Sequence, residues 1–115
     1  MKTTAKKRQC DKWFSEIIRS AGCCFRCQSK EYLQCAHIVS RRYLQVRWDV
    51  NNSICLCRAC HHWAHMHPVE WEAWLERTFG KRYIKRLKDK ALKYNKVDYE
   101  TLVYKLKRLH EAIQV

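Results

Sequence analysis

The chain has 115 residues, eight cysteines and a formal net charge of +13, from 24 lysines and arginines against 11 aspartates and glutamates. This length predicts a single domain over residues 1–115 and leaves no room for a separate catalytic domain. No run of 18 apolar residues occurs, and no apolar segment follows the basic N-terminus, so we expect neither a membrane span nor a secretory signal. The charge excess favours a polyanionic partner, nucleic acid before acidic membranes, over a merely solvated basic surface.

The first half of the sequence predicts one helix and two strands. Apolar residues recur at helical spacing over residues 11–21 and Gly22 follows, so residues 1–22 are expected to form a basic arm and a short helix. Residues 31–39 have the composition of a strand, and residues 53–56 are its expected partner. The segment between the two strands is predicted to be a basic loop.

The second half of the sequence predicts helices alone. The chain from Arg58 onward is compatible with a helix, and Pro68 either ends that helix or begins a new one. Helices over residues 68–79 and 81–94 follow, with a glycine between them. Asp98 caps a last helix whose apolar stripe is expected to face the core. That stripe consists of Leu102, Leu106, Leu109 and Ile113. The expected fold class is therefore α+β and mostly helical.

The basic charge lies at the two ends of the chain. Residues 1–30 hold eight basic and two acidic side chains, and residues 81–115 hold eleven and four, whereas the middle is nearly neutral. This distribution is expected of a reactive centre between two phosphate-binding arms. Two solvated helices are the weaker alternative.

Four of the cysteines form two C-x-x-C pairs, Cys24 with Cys27 and Cys57 with Cys60. Each pair can place two thiolates on one ion, so the two pairs together predict a tetrahedral structural zinc site. Cys23 could replace Cys24 in this site. A redox dithiol is the rival interpretation, although it needs only one such motif. The other cysteines are expected to be small buried side chains: Cys10, Cys23, Cys35 and Cys55.

The long segment between the two cysteine pairs carries further candidate residues. His37 lies on the first predicted strand, Asn52 precedes the second, and His61 follows the last cysteine. His61 and His65 stand four residues apart on one helical face, which lets two imidazoles reach one metal ion. Hydrolysis of a phosphodiester needs a general base, a cation beside the phosphate and a group that orients the base. A histidine is neutral near pH 7 and can be that base.

In order and spacing these residues resemble the HNH endonucleases, also called the ββα-metal or His-Me finger family, in the version with zinc knuckles. The shared pattern is a C-x-x-C knuckle, a strand with a histidine, a loop with an asparagine, and a Leu-Cys-x-x-Cys-His run that opens a helix. The resemblance spans about residues 11–80. Three runs of the sequence look most like the NinG (Rap) type of phage recombination nuclease: Cys35-Ala36-His37-Ile38, Arg47-Trp48-Asp49 and Trp74-Leu75 to Phe79-Gly80.

The resemblance implies a β-hairpin and helix over residues 23–80, stapled by structural zinc and flanked by the N-terminal helix and basic C-terminal helices over residues 81–115. It implies a metal-dependent DNA endonuclease in which His37 is the base and Asn52 orients the His37 strand or joins the metal shell. His61 would be catalytic and, with His65, would hold a catalytic Mg²⁺ or Mn²⁺ ion. DNA-binding residues are expected at Arg41, Arg42, Arg47, Lys81, Arg82, Lys85 and Arg86.

The sequence departs from the family at one position. Many HNH enzymes have aspartate or histidine directly before the base, and this chain has Ala36 there. Asp49 could supply the missing oxygen ligand. Taken singly, His62, His65 and His67 are expected to be surface or structural histidines, and only the combined pattern gives His65 its metal-binding role. The tryptophans near the site are expected to pack in the core, with base stacking as a minority role: Trp63, Trp71 and Trp74.

Two interpretations from other classes stay open. A non-catalytic zinc-binding DNA module would need the cysteines and the charge but not the histidines and Asn52, and a zinc-dependent protein-interaction adaptor would leave the charge unexplained. The resemblance implies an intracellular, phage-encoded protein that acts on DNA, with no membrane and no small-molecule substrate. A branched, linear or single-stranded substrate, nicking or double-strand cutting, and a homodimer are all compatible with the sequence.

Overall fold

The computed structural model describes residues 3–114. Over that range the chain is α+β and mostly helical, as predicted, with six α-helices and one two-stranded sheet. The elements in chain order are α1 (Thr3–Arg19), β1 (Leu33–His37), α2 (Leu44–Arg47), a 3₁₀ turn (Val50–Asn52), β2 (Ser53–Cys57), α3 (Arg58–Met66), α4 (Pro68–Phe79), α5 (Lys81–Leu92) and α6 (Tyr99–Ile113). None of these helices combines the length and apolar character needed to traverse a bilayer.

The two strands form an antiparallel pair in which Leu33 lies opposite Cys57 and His37 lies opposite Ser53. All five residues of β2 are buried, whereas Ala36 is the one buried residue of β1. Side chains alternate between the two faces of a strand, so Ala36 and His37 belong to opposite faces. Strand β1 is therefore the more accessible edge of the pair, with one face toward α1 and the other toward α3 and α4.

Two hydrophobic clusters cover the two faces of the hairpin. On one face, Ala36, Ile54 and Leu56 pack with Trp71 and Trp74 of α4. On the other, residues of α1 pack against α6 and the segment around α2; the buried members are Cys10, Phe14, Trp48 and Leu106. Burial of each large apolar side chain stabilises the fold by about 1.5–3 kcal/mol. The two clusters together therefore hold the hairpin between two helical layers.

The N-terminal helix is longer than the sequence analysis predicted. The described part of the expected arm is helical from Thr3, and Asp11, the expected start of a helix over residues 11–21, lies in the middle of α1. Residues 5–9 are strong helix formers, and Cys10 is buried beneath α6, so local propensity and packing both extend the helix.

Other predicted boundaries need smaller corrections. Strand β1 covers residues 33–37 instead of 31–39, because Tyr32 has a positive φ of 52° and the side chain of Asn52 binds the backbone of Val39. The predicted loop between the strands contains α2 and the 3₁₀ turn. At Pro68 one helix ends and another begins. Helix α5 ends at Leu92, two residues earlier than predicted.

The apolar stripe of α6 is only partly buried, which corrects the expectation that it faces the core throughout. Leu106 is buried and Leu102 packs beside it, but Leu109 is 38% and Ile113 is 37% exposed. His110 of α6 contacts Glu16 of α1, and α1 ends three residues after Glu16. The apolar stripe of α6 is therefore covered around Leu102 and Leu106 and partly exposed toward the end of the helix.

Candidate metal centre and active site

Four cysteines meet at the end of the hairpin. The sulfur atoms of Cys24, Cys27, Cys57 and Cys60 all lie within 4.8 Å of one another, and no other group of three or more potential ligands assembles within residues 3–114. The Sγ atoms of Cys27 and Cys57 are 3.6 Å apart. Zinc–sulfur bonds of about 2.3 Å in a tetrahedron separate the sulfurs by about 3.8 Å. The donor set and its spacing therefore fit a structural zinc ion.

Local backbone geometry forms each half of this centre in the same way. The amide of Cys27 donates to Cys24 Sγ at 3.4 Å, and the amide of Cys60 donates to Cys57 Sγ at 3.4 Å. A positive φ of 70° at Gln28 lets its amide return to the carbonyl oxygen of Cys24. Burial opposes ionisation of Cys24, but backbone N–H donors outweigh it and lower the pKa of the thiol. These donors thus favour the thiolate form of Cys24, the form that binds a metal ion.

The structure bears on two of the alternatives for the cysteines, namely Cys23 against Cys24 as a ligand and a metal site against a redox dithiol. Cys24 is fully buried within the cluster, whereas the half-buried Cys23 lies outside it. The two C-x-x-C motifs share one cluster, which a redox dithiol does not require. Of the remaining cysteines, Cys10 and Cys55 are buried as expected, and Cys35 is half-buried in β1.

Three histidines line one groove of about 760 Å³ that runs along the open edge of β1, between α1 and α3. His37 comes from β1, and His61 and His65 come from α3. The rings of His61 and His65 pack in a tilted arrangement with centroids 4.8 Å apart, as their spacing of one helical turn allows. The histidine pair and the predicted base therefore face one shared space, although they come from elements separated by more than twenty residues.

The ring of His37 is held in one orientation. Its Nε2 lies 2.9 Å from the carbonyl oxygen of Arg47, and its ring stacks on Phe14 with centroids 5.9 Å apart. A carbonyl oxygen can only accept, so Nε2 carries the proton and the neutral ring keeps its lone pair on Nδ1. Burial lowers the pKa of His37, and the positive charges of Arg41 and Arg47 lower it further. His37 is therefore neutral at pH 7.

His61 has a fixed tautomer as well. Its Nδ1 lies 2.7 Å from Oε1 of Gln34, an acceptor on strand β1. The proton of the neutral ring is therefore on Nδ1, and Nε2 keeps the lone pair. Metal-binding histidines commonly donate their second ring nitrogen to a neighbouring acceptor in this way. Burial lowers the pKa of His61, with smaller contributions from His65 and His37.

Asn52 directly precedes β2 and is fully buried. Its Oδ1 accepts from the amide of Val39 at 2.8 Å, and its Nδ2 donates to the carbonyl oxygens of Val39 and Val46 at 2.9 and 3.1 Å. These three bonds join the two ends of the loop that follows His37. Asn52 does not line the histidine groove, and backbone groups occupy its polar atoms.

Asp49 and Ala36 bear on the predicted ligand shell. The carboxylate of Asp49 accepts from the amide of Asn51 at 2.9 Å and pairs with Lys90, and it lines a different groove from His61 and His65. Ala36 is buried against the core. Within the described residues, His61 and His65 thus come together without a carboxylate from either position.

The predicted DNA-binding residues differ in what they contact. Arg41 and Arg42 are exposed, but Arg47 is half-buried and its guanidinium binds Asp11. The four basic residues predicted on α5 are exposed: Lys81, Arg82, Lys85 and Arg86. Lys85 pairs with Asp89 at 2.7 Å. None of these four basic residues lines the histidine groove.

The other predicted residues near α3 and α4 are accounted for by packing and exposure. His62 and His67 are exposed, and His67 pairs with Glu70 at 3.2 Å. The three tryptophans are half-buried and form an aromatic layer in which Trp71 stacks on Trp74 with centroids 5.4 Å apart. Trp71 also lines the histidine groove.

Sequence reasoning missed two charged residues of the groove, Asp11 and Arg19, both on α1. The sequence pattern places Asp11 only at the expected start of a helix over residues 11–21. A signal was present, because Asp11 lies one helical turn before Phe14 on the half-buried side of an amphipathic helix, where a carboxylate needs a partner.

The chain matches no protein-family model, and no curated protein or solved structure is significantly similar to it. The HNH resemblance therefore depends on the residues described above.

Proposed function

We propose that this protein hydrolyses phosphodiester bonds of DNA in the histidine groove, with His37 as the general base. The observation that carries the proposal is the arrangement of His37 and His61. Both rings line one groove, and each donates one nitrogen to a protein acceptor and keeps a lone pair on the other. A general base and a metal ligand both need that lone pair.

The chain's own residues supply the parts that hydrolysis needs. His37 Nδ1 takes the proton of an attacking water. The carbonyl oxygen of Arg47 accepts a hydrogen bond from Nε2–H of His37 and so keeps the ring in one orientation. His61 and His65 would hold a Mg²⁺ or Mn²⁺ ion, which when bound neutralises charge on the phosphate. Asn52 supports the loop after His37, and the cysteine centre closes the hairpin that carries the groove.

Arg19 is the groove's best candidate to bind a phosphate. Its Nε donates to the carbonyl oxygen and hydroxyl of Ser15 at 3.3 and 3.1 Å, which leaves both terminal nitrogens available. Arg41, the other arginine of the groove, is already paired with Asp11. No carboxylate within residues 3–114 lies at ion-pair distance from Arg19. An oriented and uncompensated guanidinium is suited to a phosphate.

Arg19→Gln is therefore expected to weaken binding to all DNA sequences about equally. Loss of one phosphate contact should reduce the slope of log affinity against log salt by about 0.9. The measurement is a salt titration of binding to a labelled duplex. Arg77→Gln, which removes an exposed arginine outside the groove, is the control and should leave the slope closer to that of the wild type. Equal slopes for both variants would remove Arg19 from the phosphate contacts.

The exposed basic face of α5 supports a second contact with DNA. It lies outside the groove, so one DNA arm could occupy the groove while another meets α5. This separation favours branched recombination intermediates as substrates, with low sequence preference, because phosphate contacts carry no sequence information.

The experiment that tests the proposal uses a labelled four-way junction and a matched linear duplex, each with Mg²⁺, Mn²⁺ or EDTA. We expect both DNAs to be bound, the junction to be cut faster, and EDTA to stop cutting. Equal rates on the two DNAs would reject the branched substrate and leave a general nuclease. Tight binding without cutting in either metal would support the alternative, a non-catalytic DNA-binding module.

A further inference from the structure

Asp11 is the acceptor at the centre of a hydrogen-bond network between α1 and the segment around α2. Its carboxylate accepts from Nε and Nη2 of Arg47 at 3.0 and 2.6 Å. It also accepts from Nη2 of Arg41 at 3.1 Å and from the indole nitrogen of Trp48 at 3.0 Å. Four donors thus converge on one side chain that no motif of the sequence singled out as functional.

The same network leads to His37. The Arg47 side chain is held by Asp11 through two parallel hydrogen bonds, and the Arg47 carbonyl oxygen binds His37 Nε2 at 2.9 Å. A bidentate pair fixes both the position and the orientation of the arginine. Helix α1 also contacts the imidazole directly, because Phe14, one turn after Asp11, stacks on the ring of His37. One helix therefore controls both the face of the ring and the acceptor at its edge.

We infer that Asp11 is a positioning residue for His37, acting through Arg47. The inference rests on the proposed function, in which His37 is the base. Asp11 itself is unsuited to be the base, since each of its oxygens already accepts two hydrogen bonds. Its effect is to keep the Arg47 carbonyl at the Nε2 edge and so to keep the lone pair of His37 on Nδ1.

Asp11 also balances the charges around His37. The charged and titratable groups near the ring are Asp11 and Arg19 from α1, Cys35 from β1, Arg41 and Arg47 from the loop and α2, and His61 and His65 from α3. The two arginines of the loop disfavour the imidazolium, and Asp11 opposes them. Removing the negative charge and loosening the Arg47 carbonyl act in the same direction, so both should lower the pKa of His37 further.

The test compares Asp11→Asn with the wild type in the full-length, zinc-loaded protein. Long-range ¹H–¹⁵N NMR of the imidazole reports the tautomer and the pKa of His37 without any substrate. We expect the Nε2–H tautomer in the wild type, and in Asp11→Asn a mixture of tautomers with a lower pKa. Asp89→Asn makes the same chemical change on the exposed face of α5 and should leave His37 unchanged.

A second readout is the pH dependence of DNA cleavage. In Asp11→Asn the acidic limb of the profile should move to lower pH, and the plateau rate should fall by about 10-fold to 100-fold, the scale of a misoriented catalytic group. A residue that merely stabilised the fold would lower the amount of active protein without moving the limb. Asp89→Asn should keep both the limb and the plateau.

The outcomes separate this inference from the proposed function. If the tautomer and pKa of His37 change as expected but no protein cuts DNA, the nuclease proposal fails and the positioning role stands. If the wild type cuts DNA and Asp11→Asn retains its tautomer, pKa and rate, the inference is overturned. Should Asp11→Asn fail to fold, Arg47→Lys keeps the charge and removes the bidentate pair. An unchanged His37 tautomer in Arg47→Lys would equally overturn the inference.

Discussion

Replacing Cys57 by serine is expected to abolish the stable fold. Cys57 ends β2, precedes α3 and contributes one of the four sulfurs of the cysteine centre. Structural zinc sites contribute about 10–16 kcal/mol of binding free energy, which is as large as the whole stability of a typical domain. A serine hydroxyl is a poor substitute for a thiolate. We therefore expect Cys57→Ser to be unfolded or insoluble at temperatures where the wild type is folded.

The measurement combines the zinc content of the purified protein with its thermal unfolding curve. The wild type should hold one zinc ion per chain, and removal of that zinc by a chelator should reproduce the loss of structure. Cys23→Ser is the matched control, because Cys23 is adjacent to the centre but outside it. A Cys57→Ser protein that melts like the wild type, or a wild type that contains no zinc, would contradict a metal-stapled hairpin.

His37→Ala is expected to lower the rate of DNA cleavage by about 100-fold or more, the usual scale for loss of a general base. DNA affinity should be nearly unchanged, since a neutral imidazole contributes little to phosphate binding. The pKa of His37 lies below its ordinary value of 6.5. The wild-type rate should therefore be level near neutral pH and fall as the pH drops through that lowered pKa, where the ring becomes protonated.

His62→Ala is the control for this substitution, because His62 belongs to the same histidine-rich segment and is exposed. Its cleavage rate should equal that of the wild type. Zinc content and unfolding temperature should agree among all three proteins, so that a lower rate cannot come from a lower folded fraction. Undiminished cleavage by His37→Ala would remove His37 from the mechanism.

The fold and the cysteine centre were largely predictable because their determinants are local. A C-x-x-C pair forms its knuckle within four residues, and the amide-to-sulfur bonds at Cys24 and Cys57 need no distant partner. The spacing of His61 and His65 likewise follows from one turn of helix. The predicted starts of α4 and α5 agree with the structure, because a proline and a glycine mark them in the sequence.

Features that depend on contacts between distant segments were not predictable. Asp11 and Arg47 are 36 residues apart, and nothing in the sequence around either indicates the other. The role of Asn52 depends on where the loop backbone passes it. Whether Asp49 joins His61 is decided by the position of α5, which takes the carboxylate as the partner of Lys90. Such pairings require the tertiary arrangement itself.

Incubation of supercoiled plasmid with the zinc-loaded wild-type protein tests the central claim most directly. The account predicts nicked or linear product in Mg²⁺ or Mn²⁺, none in EDTA, and at least about 100-fold less with His37→Ala at the same protein concentration. A wild-type protein that binds the plasmid, retains its zinc and leaves the DNA supercoiled in both metals would contradict it.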